Sequence, residues 1–215
     1  MMMRRVFLLC GRMSGTGKTT TTAHLGRLLQ QRGFPCRWHL EEDENHPVPC
    51  HDVQIKHLTE KMVPRWRAFV EAALRDPTVS IIESRLWQNT ALFMYMSAYP
   101  ADAVLRYHQH VWKVLKPLAP VLIVLHQDDT EAALRRNYAL RGEAWVQEEM
   151  RATASYAWFQ SRGQADFEGW VGFFEEWGQV AESLYADWPY HKAKIVNAHD
   201  DWSAAYAQMA AFLQL

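Results

Sequence analysis

The ten residues from Gly11 to Thr20, Gly-Arg-Met-Ser-Gly-Thr-Gly-Lys-Thr-Thr, constrain this chain more than any other segment. They lie between a continuous apolar run at 6–10 and an amphipathic run at 18–31, where Ala23, Leu25, Leu28 and Leu29 recur near helical spacing. A short unbroken apolar run is the pattern of a strand buried on both faces. Gly33 and Pro35 stop the helix that follows. Strand, glycine-rich turn and helix, in that order, suit phosphate binding. Glycines let backbone N–H groups converge on an anion, and the first helical turn adds unpaired donors and the positive end of a dipole. Lys18 can then reach the outer phosphates of a nucleoside triphosphate, and the Thr19 hydroxyl can join a Mg2+ shell. Met13, Ser14, Gly15, Thr16, Gly17, Lys18, Thr19 and Thr20 are therefore the expected triphosphate-binding residues, with ATP and Mg2+ as ligands. One position departs from the pattern, which wants glycine five residues before Gly17, where this chain has Arg12. The expectation is a solvated Arg12, with an anion contact as the alternative.

The rest of the chain alternates in kind. Residues 36–41 place Cys36, Trp38 and Leu40 on one face, as a strand does, and 42–52 is a polar, proline-punctuated loop. Residues 53–75 read as helical, with Pro64 starting a second segment whose Val63, Trp66, Phe69, Val70, Ala73 and Leu74 face inward. Further strands are expected at 78–83, 121–126 and 194–198. Helices are expected at about 86–99, 101–116, 130–140, 143–161, 166–186 and 202–213. Strands alternating with helices imply a parallel sheet covered on both faces. The helical excess at about 127–190 indicates a lid and an added helical layer on a single domain spanning 1–215.

Charge narrows the partners. With 23 basic and 24 acidic residues, no global field recruits nucleic acid or an anionic membrane. Cys10, Cys36 and Cys50 lack paired spacing, which fits free thiols in a reducing cytosol, and no run reaches membrane-spanning length. His46, Cys50, His51, Asp52 and His57 cluster without the paired spacing of a structural zinc site. The expectation is a cytoplasmic protein, monomer or homodimer, whose partners are a nucleotide and a small-molecule acceptor.

On its phosphate loop, the chain resembles the P-loop kinases of the nucleoside and nucleoside monophosphate group, thymidylate kinases especially, and uncharacterised bacterial P-loop proteins of that kind. The likeness runs in order over about 6–142. Thymidylate kinases end the third strand in an acid–arginine pair and the fourth in an Asp-rich turn, and a helix then leads to an arginine-bearing lid. Here those places are Glu83-Ser84-Arg85, then His126-Gln127-Asp128-Asp129, then Arg135, Arg136 and Arg141. Ser84 separates two residues that the family keeps adjacent.

The resemblance implies an α/β, three-layer P-loop NTPase fold with a central parallel five-stranded sheet, helices on both faces and a helical lid. It implies a catalytic set of Lys18, Glu83, Arg85, Arg135 and Arg141, with Thr19 and Glu83 as the metal residues. Glu41 and Glu42, beside Asp43, fall where related kinases keep a carboxylate near the acceptor hydroxyl. Asn197, at the end of the last strand, falls near the adenine. Trp87 can stack on a flat ring, with Gln88 and Asn89 reading its edge. Each of these residues has a plain alternative as strand end, salt bridge, solvated loop or helix packing. The activity implied is transfer of a γ-phosphoryl group to a nucleoside, nucleotide or other hydroxylated metabolite. Hydrolysis coupled to a shape change, and nucleotide binding without turnover, stay open as alternatives.

Overall fold

A computed structural model describes residues 6–215. Five strands, β1 (Val6–Gly11), β2 (Cys36–His39), β3 (Val79–Glu83), β4 (Val121–His126) and β5 (Lys192–Val196), form one sheet in the order β2-β3-β1-β4-β5. Every pairing is parallel. The position of each strand follows its composition. β1 and the first five residues of β4 are wholly buried and apolar or small, whereas the edge strands β2 and β5 carry Arg37, Lys192 and Lys194.

Alternation along β1 divides the core into two layers. Phe7 and Leu9 face α1 (Lys18–Gln31), through Leu25 and Leu29. Leu8 and Cys10 face the opposite layer, with Met62, Trp66 and Phe69 from α2 (Leu58–Arg75). The short α3 (Phe93–Met96) and α4 (Ala101–Leu115) extend that layer with Met94, Val104 and Val111. After β4 come α5 (Thr130–Arg141), α6 (Glu143–Thr153), α7 (Ala157–Arg162) and α8 (Phe167–Asp187). α8 sends Phe173 and Trp177 into the same core as Leu8. Finally α9 (Trp202–Leu213) joins α1 on the first face through Ala205 and Met209. Among the described residues no helix is long and apolar enough to cross a membrane.

Several elements differ from the sequence expectation; the helix expected from residue 53 starts at Leu58, and the strand expected at 194–198 lies at Lys192–Val196. Pro64 does not divide a helix; α2 runs through it. The missing N–H costs one bond four residues back, and the buried Met62, Trp66, Phe69, Val70 and Ala73 hold the helix together across it. Within the helix expected at about 86–99, residues 87–92 take the π form, Trp87–Leu92, before α3. The Thr90 hydroxyl donates to the carbonyls of both Arg85 and Leu86, at 3.1 and 2.9 Å, which favours the wider turn. Residues 143–161 form two helices, α6 and α7, instead of one.

The topology also locates a crevice. The chain leaves β1 for β2 on one side and leaves β3 for β4 on the other, and β1 and β3 are neighbours. Their carboxyl ends therefore flank a topological switch point, where ligands bind in open α/β sheets.

Candidate functional site

Gly15 and Gly17 turn the chain between β1 and α1 at φ of 75° and 86°, which side chains rarely adopt. Both are also crowded. A Cβ on Gly17 would overlap the Trp202 ring, and one on Gly15 would overlap the Asn137 amide. Asn137 Nδ2 donates to Ser14 Oγ at 2.9 Å, so α5 and α9 close on the loop from two directions. Lys18 is 5% exposed, and its Nζ donates to the Met13 carbonyl at 3.0 Å. Burial holds its pKa below the ordinary lysine value, and the charges of Glu41 and Glu83 oppose that.

Arg12 is not solvated. It is 8% exposed, and its guanidinium donates to the Gln127 carbonyl and, at 3.1 Å, to Thr130 Oγ1. Its backbone carbonyl accepts from Trp177 Nε1 at 3.0 Å. Gly178 makes room for the side chain, since a Cβ there would lie 2.5 Å from Arg12 Nη1. The residue in the usual glycine position thus fastens the loop entry to the end of β4 and to α8. Burial lowers its pKa, with Glu182, Asp128 and Glu175 opposing.

At the end of β3, Glu83 is 1% exposed, and its Oε1 accepts from Thr19 Oγ1 at 2.7 Å. Its Oε2 accepts from the Glu41 N–H at 3.2 Å. Burial raises the Glu83 pKa, and the Thr19 bond and the Lys18 charge oppose that. Ser84, at φ 60°, then sits inside a three-residue turn closed by the Arg85 N–H on the Glu83 carbonyl at 2.6 Å. That tight turn, a rare conformation, brings Arg85 back to the residue Glu83 also touches. Arg85 Nη2 donates to the Glu41 carbonyl at 3.0 Å, and Nη1 reaches Cys50 Sγ at 2.6 Å. Asn89 Nδ2 donates to Glu41 Oε1 at 2.7 Å.

These elements enclose a cavity of about 620 Å3, the size of a small-ligand site. Ser14, Gly15, Gly17, Lys18, Thr19 and Thr20 line one side. Glu41, Glu42, Asp43, Glu83 and Arg141 line the rest, together with Leu40, Asn137 and Leu140. Arg141 rests over the Trp145 ring at 5.2 Å, next to Gly142 at φ 83°. Thr19 and Glu83 supply hard oxygens, which fits Mg2+, an ion usually held by one or two protein groups plus phosphate and water. Among the described residues no group of three or more His, Cys, Asp or Glu is placed to hold a metal, so these two would need phosphate oxygens to complete the shell.

Several expected residues are placed outside the cavity. Met13 and Thr16, within the loop, have buried side chains. Trp87 is buried in the core, its Nε1 3.4 Å from His108 Nε2, and Gln88 accepts from Ser84 Oγ at 2.9 Å. Arg135 pairs with Glu131 at 2.6 Å and lies over Phe167 at 4.4 Å, on the outer side of α5. Asn197 bonds Asp128 instead, through Nδ2 at 3.0 Å and Oδ1 at 3.1 Å. Conversely, Asn137 and Leu140 were not anticipated. They lie four and one residues before Arg141, and the four-residue step puts Asn137 on the same helical face as the expected Arg141.

No protein-family model matches the sequence, and no curated protein matches it. Solved structures do match. Thymidylate kinase from Ehrlichia chaffeensis aligns with a TM-score of 0.57 at 11% identity, over 99% of this chain and 100% of that one. Deoxyadenosine kinase from M. mycoides, solved with bound dATP, aligns with a TM-score of 0.51 at 16% identity, over 98% and 100%. At such identities the likeness is one of fold, and the fold is that of thymidylate-kinase-like P-loop kinases.

Proposed function

We propose that this chain, built on a thymidylate-kinase-like P-loop fold, transfers the γ-phosphoryl group of ATP to a nucleoside or nucleotide. The observation that carries the reading is the Thr19–Glu83 contact of 2.7 Å, which joins the phosphate loop to the end of β3 inside one cavity. The names of the two structural neighbours favour a nucleoside or nucleotide as acceptor over other hydroxylated metabolites.

In this mechanism the loop amides and Lys18 hold the triphosphate. Mg2+, held through Thr19 and Glu83, would neutralise charge on the phosphate oxygens. An acceptor oxygen attacks the γ-phosphorus, the bond to the bridging oxygen breaks, and ADP leaves. Glu41 takes the acceptor proton where that oxygen is a hydroxyl. Arg141, at the cavity wall beside Gly142, faces the charge that spreads over the transferring group. Closure of the Arg141-bearing segment over the transferring group keeps water from competing as the acceptor. Arg85 has a different task from phosphate binding, because its guanidinium is fully buried on Glu41 and Cys50. The reading takes 1–215 as one catalytic domain, with about 127–190 as lid and helical layer. It acts as monomer or homodimer in the cytoplasm, without nucleic acid or membrane partners.

The test is ADP release from ATP and Mg2+ with a panel of deoxynucleosides and their monophosphates, with the phosphorylated acceptor identified by mass spectrometry. The expected result is release at least ~10-fold above acceptor-free hydrolysis for one acceptor class, lost by ~100-fold or more in Lys18→Ala. ADP release that is the same with and without every acceptor contradicts transfer and fits hydrolysis alone.

A further inference from the structure

Three acidic residues in succession, Glu41, Glu42 and Asp43, follow the edge strand β2, and all three line the cavity. They are not equivalent. Asp43 Oδ2 accepts from the Leu40 N–H at 2.7 Å and so closes the turn. Glu41 is gripped at three points: N–H by Glu83 at 3.2 Å, carbonyl by Arg85 at 3.0 Å, and carboxylate by Asn89 at 2.7 Å. All three grips come from one short segment, the end of β3 and the π-turn after it. β2 pairs on one side only, with β3, so its carboxyl end has no strand beyond it to fix these residues.

Of the three grips, only Asn89 acts on the side chain. Asn89 Oδ1 is buried and bonds nothing among the described residues, so the amide's polar contact goes to the carboxylate alone. Its place within Trp87–Leu92 matters as well. The wide turn held by Thr90 sets where residue 89 points, and π-turns of this kind recur at functional sites.

The geometry points to Asn89 as a positioning residue: we propose that it holds the Glu41 carboxylate toward the acceptor side of the cavity. This assigns Asn89 a task other than reading a substrate edge. It rests on the phosphotransferase reading for its catalytic consequence. A carboxylate on an unpartnered strand end samples several rotamers, and a base displaced by about 1 Å loses on the order of 100-fold in rate.

The experiment is a cycle of Asn89→Ala, Glu41→Ala and the double variant, assayed with the best acceptor of the deoxynucleoside panel. Asn89→Ala is expected to lower kcat ~10–100-fold with the KM for ATP within ~2-fold, and to have no further effect once Glu41 is alanine. Independent, additive losses, or a kcat unchanged in Asn89→Ala, would overturn the proposal. A second arm needs no turnover. The Asn89 side-chain amide signals in a 1H–15N spectrum, assigned by their loss in Asn89→Ala, should move upfield in Glu41→Ala. Signals that stay in place overturn the contact. If the unsubstituted chain phosphorylates nothing, the phosphotransferase reading fails, and the amide spectrum alone decides whether Asn89 holds Glu41.

Discussion

Arg12 shows how much a single residue can alter a known pattern without abolishing the site. A glycine is usual where it stands, yet here its guanidinium runs away from the loop to Gln127 and Thr130, with Gly178 opposite. Arg12→Gly restores the common pattern and still destabilises, because it strips two buried acceptors of their donor and empties the space against α8. The expected cost is about 1–3 kcal/mol in urea unfolding, with ATP binding retained. Unchanged stability would mean that the buried contacts contribute nothing. Single residues were the least legible part of the sequence. Lys18, Thr19 and Glu83 could be placed because a motif and a strand end fixed their surroundings. Arg12 could not, since its partners lie more than a hundred positions away at Gln127, Thr130 and Trp177.

Elements were more legible than residues, and the reason is local. α1 (Lys18–Gln31), β4 (Val121–His126) and α9 (Trp202–Leu213) match their expected bounds, since apolar period and stop signals coincide there. The segment after β3 is helical as expected, but its π form is not legible because it depends on one threonine hydroxyl and one serine at positive φ, neither of which disturbs the apolar period. That segment also explains the split acid–arginine pair. Alternation along a strand cannot describe residues 83–85, because the chain leaves the strand at Ser84 and turns within three residues. The turn gives Glu83 and Arg85 a common target, Glu41. Arg135 and Arg141 show the same lesson on a helix, where a short step along α5 separates the cavity wall from the outer surface.

At the scale of the whole molecule, two buried histidines make stability depend on pH. Burial, with the Arg85 charge nearby, holds His46 down to about 3, and its Nδ1 accepts from the Val48 N–H at 2.9 Å. Burial holds His108 down to about 4, with Asp187 opposing. An unfolded histidine titrates near 6.5. Above that value both states are neutral and the full stability is present. Between about 6.5 and 4 the unfolded chain binds protons that the folded chain refuses, so stability falls as pH falls, by up to about 1.4 kcal/mol per pH unit for each group. Glu83 and Glu149, raised by burial, act in the opposite sense, but the histidines carry the larger perturbations. Urea midpoints at pH 7, 6 and 5 should therefore decline in that order, and less steeply in His108→Leu. A flat profile would mean that both rings are hydrated.

The sheet, its two covered faces and its switch point all bear on one cavity, and the proposed transfer requires that this cavity take a nucleoside triphosphate. The most direct measurement is thermal unfolding with ATP or ADP, with and without Mg2+, for the native chain and Lys18→Ala. A ligand at a hundred times its Kd adds about 2.7 kcal/mol, on the order of 5–10 °C in Tm for a chain of this size. A Mg2+-dependent rise of that order is expected in the native chain, with its loss in Lys18→Ala. No rise in either protein would contradict nucleotide binding and leave residues 11–17 as a structural turn.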